Sequence, residues 1–230
     1  MAEIVKGALQ QLGADVVMSR GATGWGGCIT DRADKANESG ADVAVSIHAD
    51  STSAGTDTTN HGFHMIIPKL DGITDAKAEK AQADGGRAAS KIMRDVYRDS
   101  GFTPSNYLGR DGLDERGDVA GPALTEVPLV FVEMGNGSNP GDAKVLESAD
   151  GQAKHAKAIA VGIATYLAAA ARRVRPRRTR WRTSRGPTNR GVARPRPGAV
   201  PPAARRTAPV AVLSGETAAC STASWTASTT

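Results

Sequence analysis

The sequence predicts an α/β protein with a mostly parallel sheet and helices on both faces, followed by an unstructured tail. Three observations lead to this prediction. Helical and strand patterns alternate along residues 1–171, the strand patterns are short and apolar, and residues 172–230 show neither pattern. Parallel strands need crossover connections, which are usually helices, so the alternation favours a parallel sheet with right-handed crossovers.

The helices are indicated by apolar residues that recur every three or four positions and by glycines that follow them. In the first helix Ile4, Ala8 and Leu12 share one face, and Gly13 ends it. The later helices are expected over Asp31–Ser39, Asp75–Arg98 and Ala153–Ala171.

The strands are indicated by alternation with a period of two or by short apolar runs. Val43, Val45 and Ile47 alternate with smaller or polar residues, for example. Between the strands, a glycine-rich loop is expected over 21–27 and a polar loop over 50–60. The strands themselves are expected over Ala14–Ser19, Val43–Ala49, Gly62–Pro68 and Leu129–Met134.

The tail, residues 172–230, differs sharply in composition from the body, residues 1–171. It holds 13 Arg, 7 Pro and no Lys and has a net charge of +12, which leaves the body at −7. Such a segment has too little apolar surface to offset its ordering entropy, so we expect it to be unstructured. Two origins stay open. It is either a basic arm for nucleic acid, an anionic wall polymer or a membrane, or an out-of-frame product of GC-rich DNA.

The charge distribution also limits the classes of partner. Because the excess of basic residues lies in the tail, the net charge of +5 does not indicate a nucleic-acid-binding domain. Met1 is followed by a helical pattern and not by a signal peptide. The longest apolar run, Ala158–Ala171, is too short to cross a bilayer. We therefore expect no nucleic-acid partner and no membrane span.

Two strand ends carry residues that suggest chemistry. His48 and Glu133 lie at the carboxyl ends of two predicted strands, where ligands bind in open parallel sheets. A histidine ligand and a glutamate base are the minimal set for a zinc hydrolase, in which the metal lowers the pKa of water and the glutamate takes up its proton. The alternative is that backbone donors at the strand ends satisfy both side chains.

Short motifs around these residues resemble the family 3 N-acetylmuramoyl-L-alanine amidases, which cleave peptidoglycan. Ser46–Asp50 resembles the family's SIHAN-type motif, and Val127–Asn136 resembles its late motif with the catalytic glutamate. The order and spacing of the motifs cover about residues 2–171 and are most similar to secreted actinobacterial members. Further resemblances lie in Met18–Arg20, Asp31–Asn37, Arg110–Gly121 and Leu146–Ser148.

The resemblance implies a zinc-dependent hydrolase of the bond between muramic acid and L-alanine, with a phosphorylase/hydrolase-like fold. It makes Glu133 the catalytic residue and His48 a zinc ligand. The family's zinc has two more ligands, a His in a D-x-G-H motif on the opening strand and a Glu at the start of the helix that corresponds to Met1–Leu12. We expect both ligands and that strand to be absent, so the amidase domain, residues 1–171, is N-terminally incomplete. Glu3 lies too late to replace the missing Glu.

Three residues are candidates for substrate binding: Arg116, His64 and Asn136. The alternative for Arg116 is a structural ion pair, and for His64 a hydrogen-bonded strand histidine. His155 is expected on the surface of the last helix.

Only the resemblance to the amidase family suggests a role for a cysteine. Some secreted relatives have a Cys at the place of Cys28 that is bonded to one near their start. This implies that the partner of Cys28 is missing, and Cys220 is not expected to replace it.

Three functions stay open. The first is a monomeric zinc amidase that acts on peptidoglycan in the extracellular or periplasmic cell wall. The second is a catalytically inactive fragment of the same family. The third is a protein that binds anionic polymers through its basic tail.

Overall fold

The computed structural model of the protein describes residues 1–174, except 22 and 25, and residues 209–214. Its centre is a six-stranded sheet in the order β1-β6-β2-β5-β3-β4. Every neighbouring pair is parallel except β3 and β5, which are antiparallel. The strands are β1 (Asp15–Met18), β2 (Val43–Asp50), β3 (His64–Pro68), β4 (Leu113–Arg116), β5 (Leu129–Asn136) and β6 (Pro209–Ser214).

Helices cover both faces of this sheet. The helices are α1 (Ala2–Gln11), α2 (Ile29–Glu38), α3 (Ala76–Ala81), α4 (Arg87–Asp99), α5 (Ala120–Leu124), α6 (Pro140–Glu147) and α7 (Ala149–Val174). On one face, α1, α4 and α7 pack through buried residues such as Leu9, Met93 and Ile159. On the other face, Ala36 of α2 packs against Leu129 of β5. The predicted fold class is therefore confirmed.

A π-helical turn, Gln82–Gly86, joins α3 to α4 and fixes the start of β5. The buried Gln82 amide donates to the carbonyls of Thr125 and Val127 at 2.8 and 3.0 Å, and its oxygen accepts from the Leu129 N–H at 3.1 Å. Gly85 is required by close approach, because a Cβ there would lie 2.5 Å from Pro128. The turn thus holds the amino end of β5, the strand that carries Glu133 in its carboxyl half.

The structure differs from the sequence-based expectations at several elements. The short elements β4, α5 and α6 were not predicted, since each is too short to show a period. The last helix runs to Val174, which is beyond the expected boundary at residue 171. Among the described residues, no helix has both the length and the apolar character needed to cross a membrane.

The largest difference concerns the tail. Residues 209–214 form β6, an inner strand between β1 and β2, which corrects the expectation of an unstructured tail for these six residues. Val210 and Val212 are completely buried, and Ala211 and Leu213 are 1 % and 5 % exposed. A run of apolar residues with buried side chains on both faces is typical of parallel strands, and Pro209 is tolerated because it comes first. Residues 175–208 and 215–230 lie outside the described part.

Candidate active site

The site lies on a row of three residues across neighbouring strands. His48 on β2 is paired in register with Glu133 on β5, which is in turn paired with His64 on β3. Directly paired residues lie on the same face of a sheet. The structure therefore brings together His48 and Glu133, as the sequence predicted, and places His64 next to Glu133.

Glu133 is a half-buried carboxyl group whose Oε2 has no hydrogen-bond partner among the described residues. Burial raises its pKa to about 8, Asp50 adds to this, and Arg116 opposes it. At neutral pH the side chain therefore carries a proton for most of the time. An unpartnered carboxyl with a raised pKa is typical of a group that exchanges protons with a bound molecule.

His48 is held by two neighbours on the same face. Its ring stacks on Phe131 with 4.3 Å between centroids and 8° between planes. Its Nε2 lies 2.8 Å from the Ser46 hydroxyl. Burial, and then the charge of Arg32, lower its pKa to about 4, so the imidazole is neutral and can serve as a ligand or hydrogen-bond partner.

A hydrogen bond closes the rim beyond His48. The Tyr107 hydroxyl donates to Asp50 Oδ2 at 2.7 Å, and the buried environment and Asp50 both raise the tyrosine pKa. The register of β2 against β5 shifts between His48 and Asp50. Tyr107 was missed in the sequence, because no pattern links it to a residue 57 positions away.

A cavity of about 370 Å³ opens over this face of the sheet. His48, Phe131 and Glu133 form one part of its wall, and Arg32 of α2 and Leu213 of β6 contribute to the remainder. The wall is mainly apolar with a few polar groups, which is the usual character of a small-molecule site. The contribution of β6 was not expected from the sequence.

The candidates for substrate binding lie in different environments. The Arg116 guanidinium donates to both carboxylate oxygens of Asp118 at 2.8 and 2.6 Å, and its side chain is 36 % exposed. His64 is buried, its Nδ1 has no hydrogen-bond partner among the described residues, and its ring meets Tyr107 edge-on. Their assignment to substrate binding stays a prediction.

Asn136, the third candidate, is buried and organises the loop after β2. Its Nδ2 donates to the Thr52 hydroxyl and the Asn60 carbonyl, both at 2.8 Å. Its oxygen accepts from the N–H groups of Thr52 and Ser138. The loop over residues 51–60 is therefore tied to the end of β5 next to Glu133.

The site offers few donors for a zinc ion. Catalytic zinc takes three protein ligands. The described residues lie within 1–174 and 209–214. Among them, there is no group of three His, Cys, Asp or Glu side chains that could hold a metal ion. All four histidines of the chain belong to these residues, and of these His48 lines the cavity.

His155 lies on α7 and is buried against Phe102, which corrects its expected surface position.

Cys28 lies at the start of α2, where its N–H donates to the Asp31 carboxylate at 2.8 Å. The cysteine takes part in a disulfide. Cys220, the other cysteine of the sequence, lies outside the described residues, so the expectation about its pairing stays a prediction.

Comparisons with known proteins agree with the motifs. The model of the family described as N-acetylmuramoyl-L-alanine amidase matches residues 1–165. The N-acetylmuramoyl-L-alanine amidase Rv3717 of Mycobacterium tuberculosis is 38 % identical over 167 residues, which cover 71 % of this chain and 64 % of that protein. The chain thus spans less than two thirds of the length of this curated relative.

Two solved structures are similar as well. The amidase Ami1 of Mycobacterium smegmatis has a TM-score of 0.65 and 38 % identity, with 73 % of each chain covered. The apo form of Ami1 from Mycobacterium abscessus has a TM-score of 0.64 and 37 % identity, with 72 % of this chain and 74 % of that chain covered.

Proposed function

The chain belongs to the family of N-acetylmuramoyl-L-alanine amidases, and from this membership we propose that the cavity at Glu133 is an active site for the amide bond between muramic acid and L-alanine in peptidoglycan. The observation that carries the proposal is the position of Glu133. It lies in the carboxyl half of a largely buried strand, lines the cavity and has a carboxyl oxygen without a hydrogen-bond partner among the described residues, as a residue that moves protons requires.

The role of Glu133 follows from amide hydrolysis itself. The attacking water must lose a proton, and the leaving nitrogen of L-alanine must gain one. A single carboxyl group within reach of both atoms serves first as base and then as acid. Only the ionised form of Glu133 can take up the first proton, and with a pKa of about 8 this is the minor form at neutral pH. His48, stacked on Phe131 and neutral, provides a second polar group beside Glu133 on the same wall of the cavity.

The metal requirement is only partly met. The family consists of zinc-dependent amidases, yet the described residues provide His48 at the cavity and no group of three donors. One imidazole holds zinc weakly, so no catalytic step is assigned to the metal here. We expect the purified chain to contain much less than one zinc per molecule.

The substrate class and location follow from the family. Its members act on cell-wall peptidoglycan outside the cytoplasm. For this chain, peptidoglycan as the substrate, a location at the cell wall and a monomeric state are part of the proposal. Arg116, which is the most exposed of the predicted substrate-binding residues, would contact a carboxylate of the peptide stem if its bond to Asp118 exchanged.

A second candidate function rests on the incomplete donor set. A family member that binds peptidoglycan without cleaving it would keep the cavity and lose only the metal chemistry. Binding through the basic tail, the other alternative, concerns residues outside the described part. Substrate binding and hydrolysis are therefore tested separately.

Binding is measured by calorimetry with a soluble muramoyl-L-alanyl peptide. We expect Ala120→Trp, which fills the cavity, to reduce the affinity at least about tenfold. The matched variant Val161→Trp lies on the exposed side of α7, where Val161 is 42 % exposed, and should bind like the parent. Equal binding by both variants would exclude this cavity as the substrate site.

A further inference from the structure

The strand β6 is joined to the rest of the sheet in an unusual way. Helix α7 ends at Val174 and β6 begins at Pro209, so 34 residues lie between them. The strand nevertheless occupies an inner position, parallel to β1 on one side and to β2 on the other. Among the described strands, β1 pairs with β6 alone. Six residues from the far end of the chain therefore connect the first strand to the sheet.

Backbone hydrogen bonds on both edges hold β6 in register. The Asp42 N–H donates to the Pro209 carbonyl at 2.8 Å, and the Ser19 N–H donates to the Val212 carbonyl at 3.0 Å. Such bonds depend on the backbone and not on the identity of the side chain. Any extended segment of suitable shape can form them.

The side chains of β6 fill both core layers. Val210 and Val212 pack in the same cluster as Val5 and Val45, between the sheet and helices α1 and α7. Ala211 and Leu213 pack on the other face. The strand has no charged side chain, so apolar burial and backbone pairing account for its binding. These are the two contributions by which separate peptides add a strand to a sheet.

We propose that the cleft between β1 and β2 is a strand-binding site of the body, and that residues 209–214 occupy it as an exchangeable strand. A separate peptide with the same apolar pattern then binds there in the same parallel orientation. The occupant also forms part of the active-site cavity, because Leu213 lines it together with His48 and Glu133. Occupation of the cleft is thereby linked to the shape of the cavity.

The covalent connection between the body and β6 determines whether the chain's own strand or a free peptide occupies the cleft. A linker of 34 residues gives the chain's own strand an effective concentration on the order of 1 mM. A free peptide at micromolar concentration therefore does not displace it in the intact chain. Cutting the linker in a chain without the disulfide of Cys28 removes this advantage, after which both strands compete at their actual concentrations.

The experiment uses the full chain with a site for a sequence-specific protease inserted after Thr188 and with Cys220→Ser, so that no disulfide joins the two pieces. The probe is a fluorescent peptide of residues 205–218. After cutting, we expect the peptide to replace the C-terminal fragment, and before cutting to bind at least about 100-fold more weakly. A peptide with Val212→Asp should bind the cut chain roughly 100-fold more weakly, because it buries an unpaired charge.

Hydrogen exchange of β1 is the second measurement. We expect its amides to lose protection when the fragment is removed and to regain it when the unmodified peptide is added. The proposal is overturned if β1 stays protected without the fragment, if the Val212→Asp peptide exchanges as well as the unmodified one, or if no exchange occurs over days.

Discussion

At the scale of single residues, the neighbouring positions of the two candidate groups could be predicted, and the groups around them could not. His48 and Glu133 were recognised because a polar residue at the end of an apolar strand is costly unless it has a function. Their register confirms that the two lie side by side. The bond between Tyr107 and Asp50 was not predictable, because it joins a strand end to a loop that has no periodic pattern.

The Tyr107–Asp50 hydrogen bond is expected to stabilise the rim of the site. Because its acceptor is charged, Tyr107→Phe should lower the free energy of unfolding by about 1.5–3 kcal/mol. Urea unfolding of Tyr107→Phe, Asp50→Asn and the double variant measures the coupling of the pair. Tyr166→Phe is the control. It also removes a tyrosine hydroxyl oxygen, but the described residues offer this hydroxyl no hydrogen bond, so the variant should change the free energy of unfolding less. A coupling energy near zero would contradict this role.

His155 is expected to make stability depend on pH. It is buried against Tyr97 and Phe102, and burial, followed by the charge of Lys154, lowers its pKa to about 4, while Asp142 opposes this. The unfolded chain binds the proton from about pH 6.5 downward and the folded chain only below about pH 4. The contribution of neutral His155 to the free energy of unfolding is thus complete above about pH 6.5. It is lost as the pH falls from about 6.5 to about 4.

Between pH 7 and pH 5 the loss should amount to about 2 kcal/mol. Urea unfolding at both pH values, for the parent and for His155→Gln, isolates this contribution from those of other groups. The variant should have a smaller difference between the two pH values. Identical differences would show that His155 titrates alike in the folded and unfolded chain.

At the scale of elements, long periodic segments were predictable and interruptions of the period were not. The helix expected over Asp75–Arg98 exists, but it contains the π-helical turn around Gln82, which apolar spacing does not reveal. The amide of this residue is the link between the helix and the start of β5. Strand β6 was missed for a related reason. Its apolar run is short and lies within a basic, proline-rich segment whose average composition predicts no structure.

The anchoring of β5 predicts the effect of a change at Gln82. Gln82→Met keeps the volume but removes three hydrogen bonds and leaves the Leu129 N–H and two carbonyls unpaired. We expect a loss of about 2–4 kcal/mol in the free energy of unfolding, measured with urea. Gln11→Met, on the exposed side of α1, is the control and should change it by less than about 0.5 kcal/mol. Similar losses in both variants would show that β5 does not depend on this amide.

At the scale of the whole molecule, an acidic α/β body is combined with a basic tail, and the tail contributes an inner strand to the body's sheet. The fold class was predictable because it depends on the alternation of elements along the chain. The position of β6 was not, since strand order depends on which apolar faces remain open after the other elements have packed. The same strand provides Leu213 to the cavity, so the site is assembled from residues of both parts.

The most direct test of the amidase assignment is the release of dye from labelled peptidoglycan, measured over a series of zinc concentrations for the parent chain and for Glu133→Gln. We predict no release without added zinc, because His48 alone holds the metal weakly, and slow release when zinc greatly exceeds the protein. We predict that Glu133→Gln lowers this release at least about 100-fold. Full activity with one tightly bound zinc per chain, or release that Glu133→Gln leaves unchanged, would contradict the account.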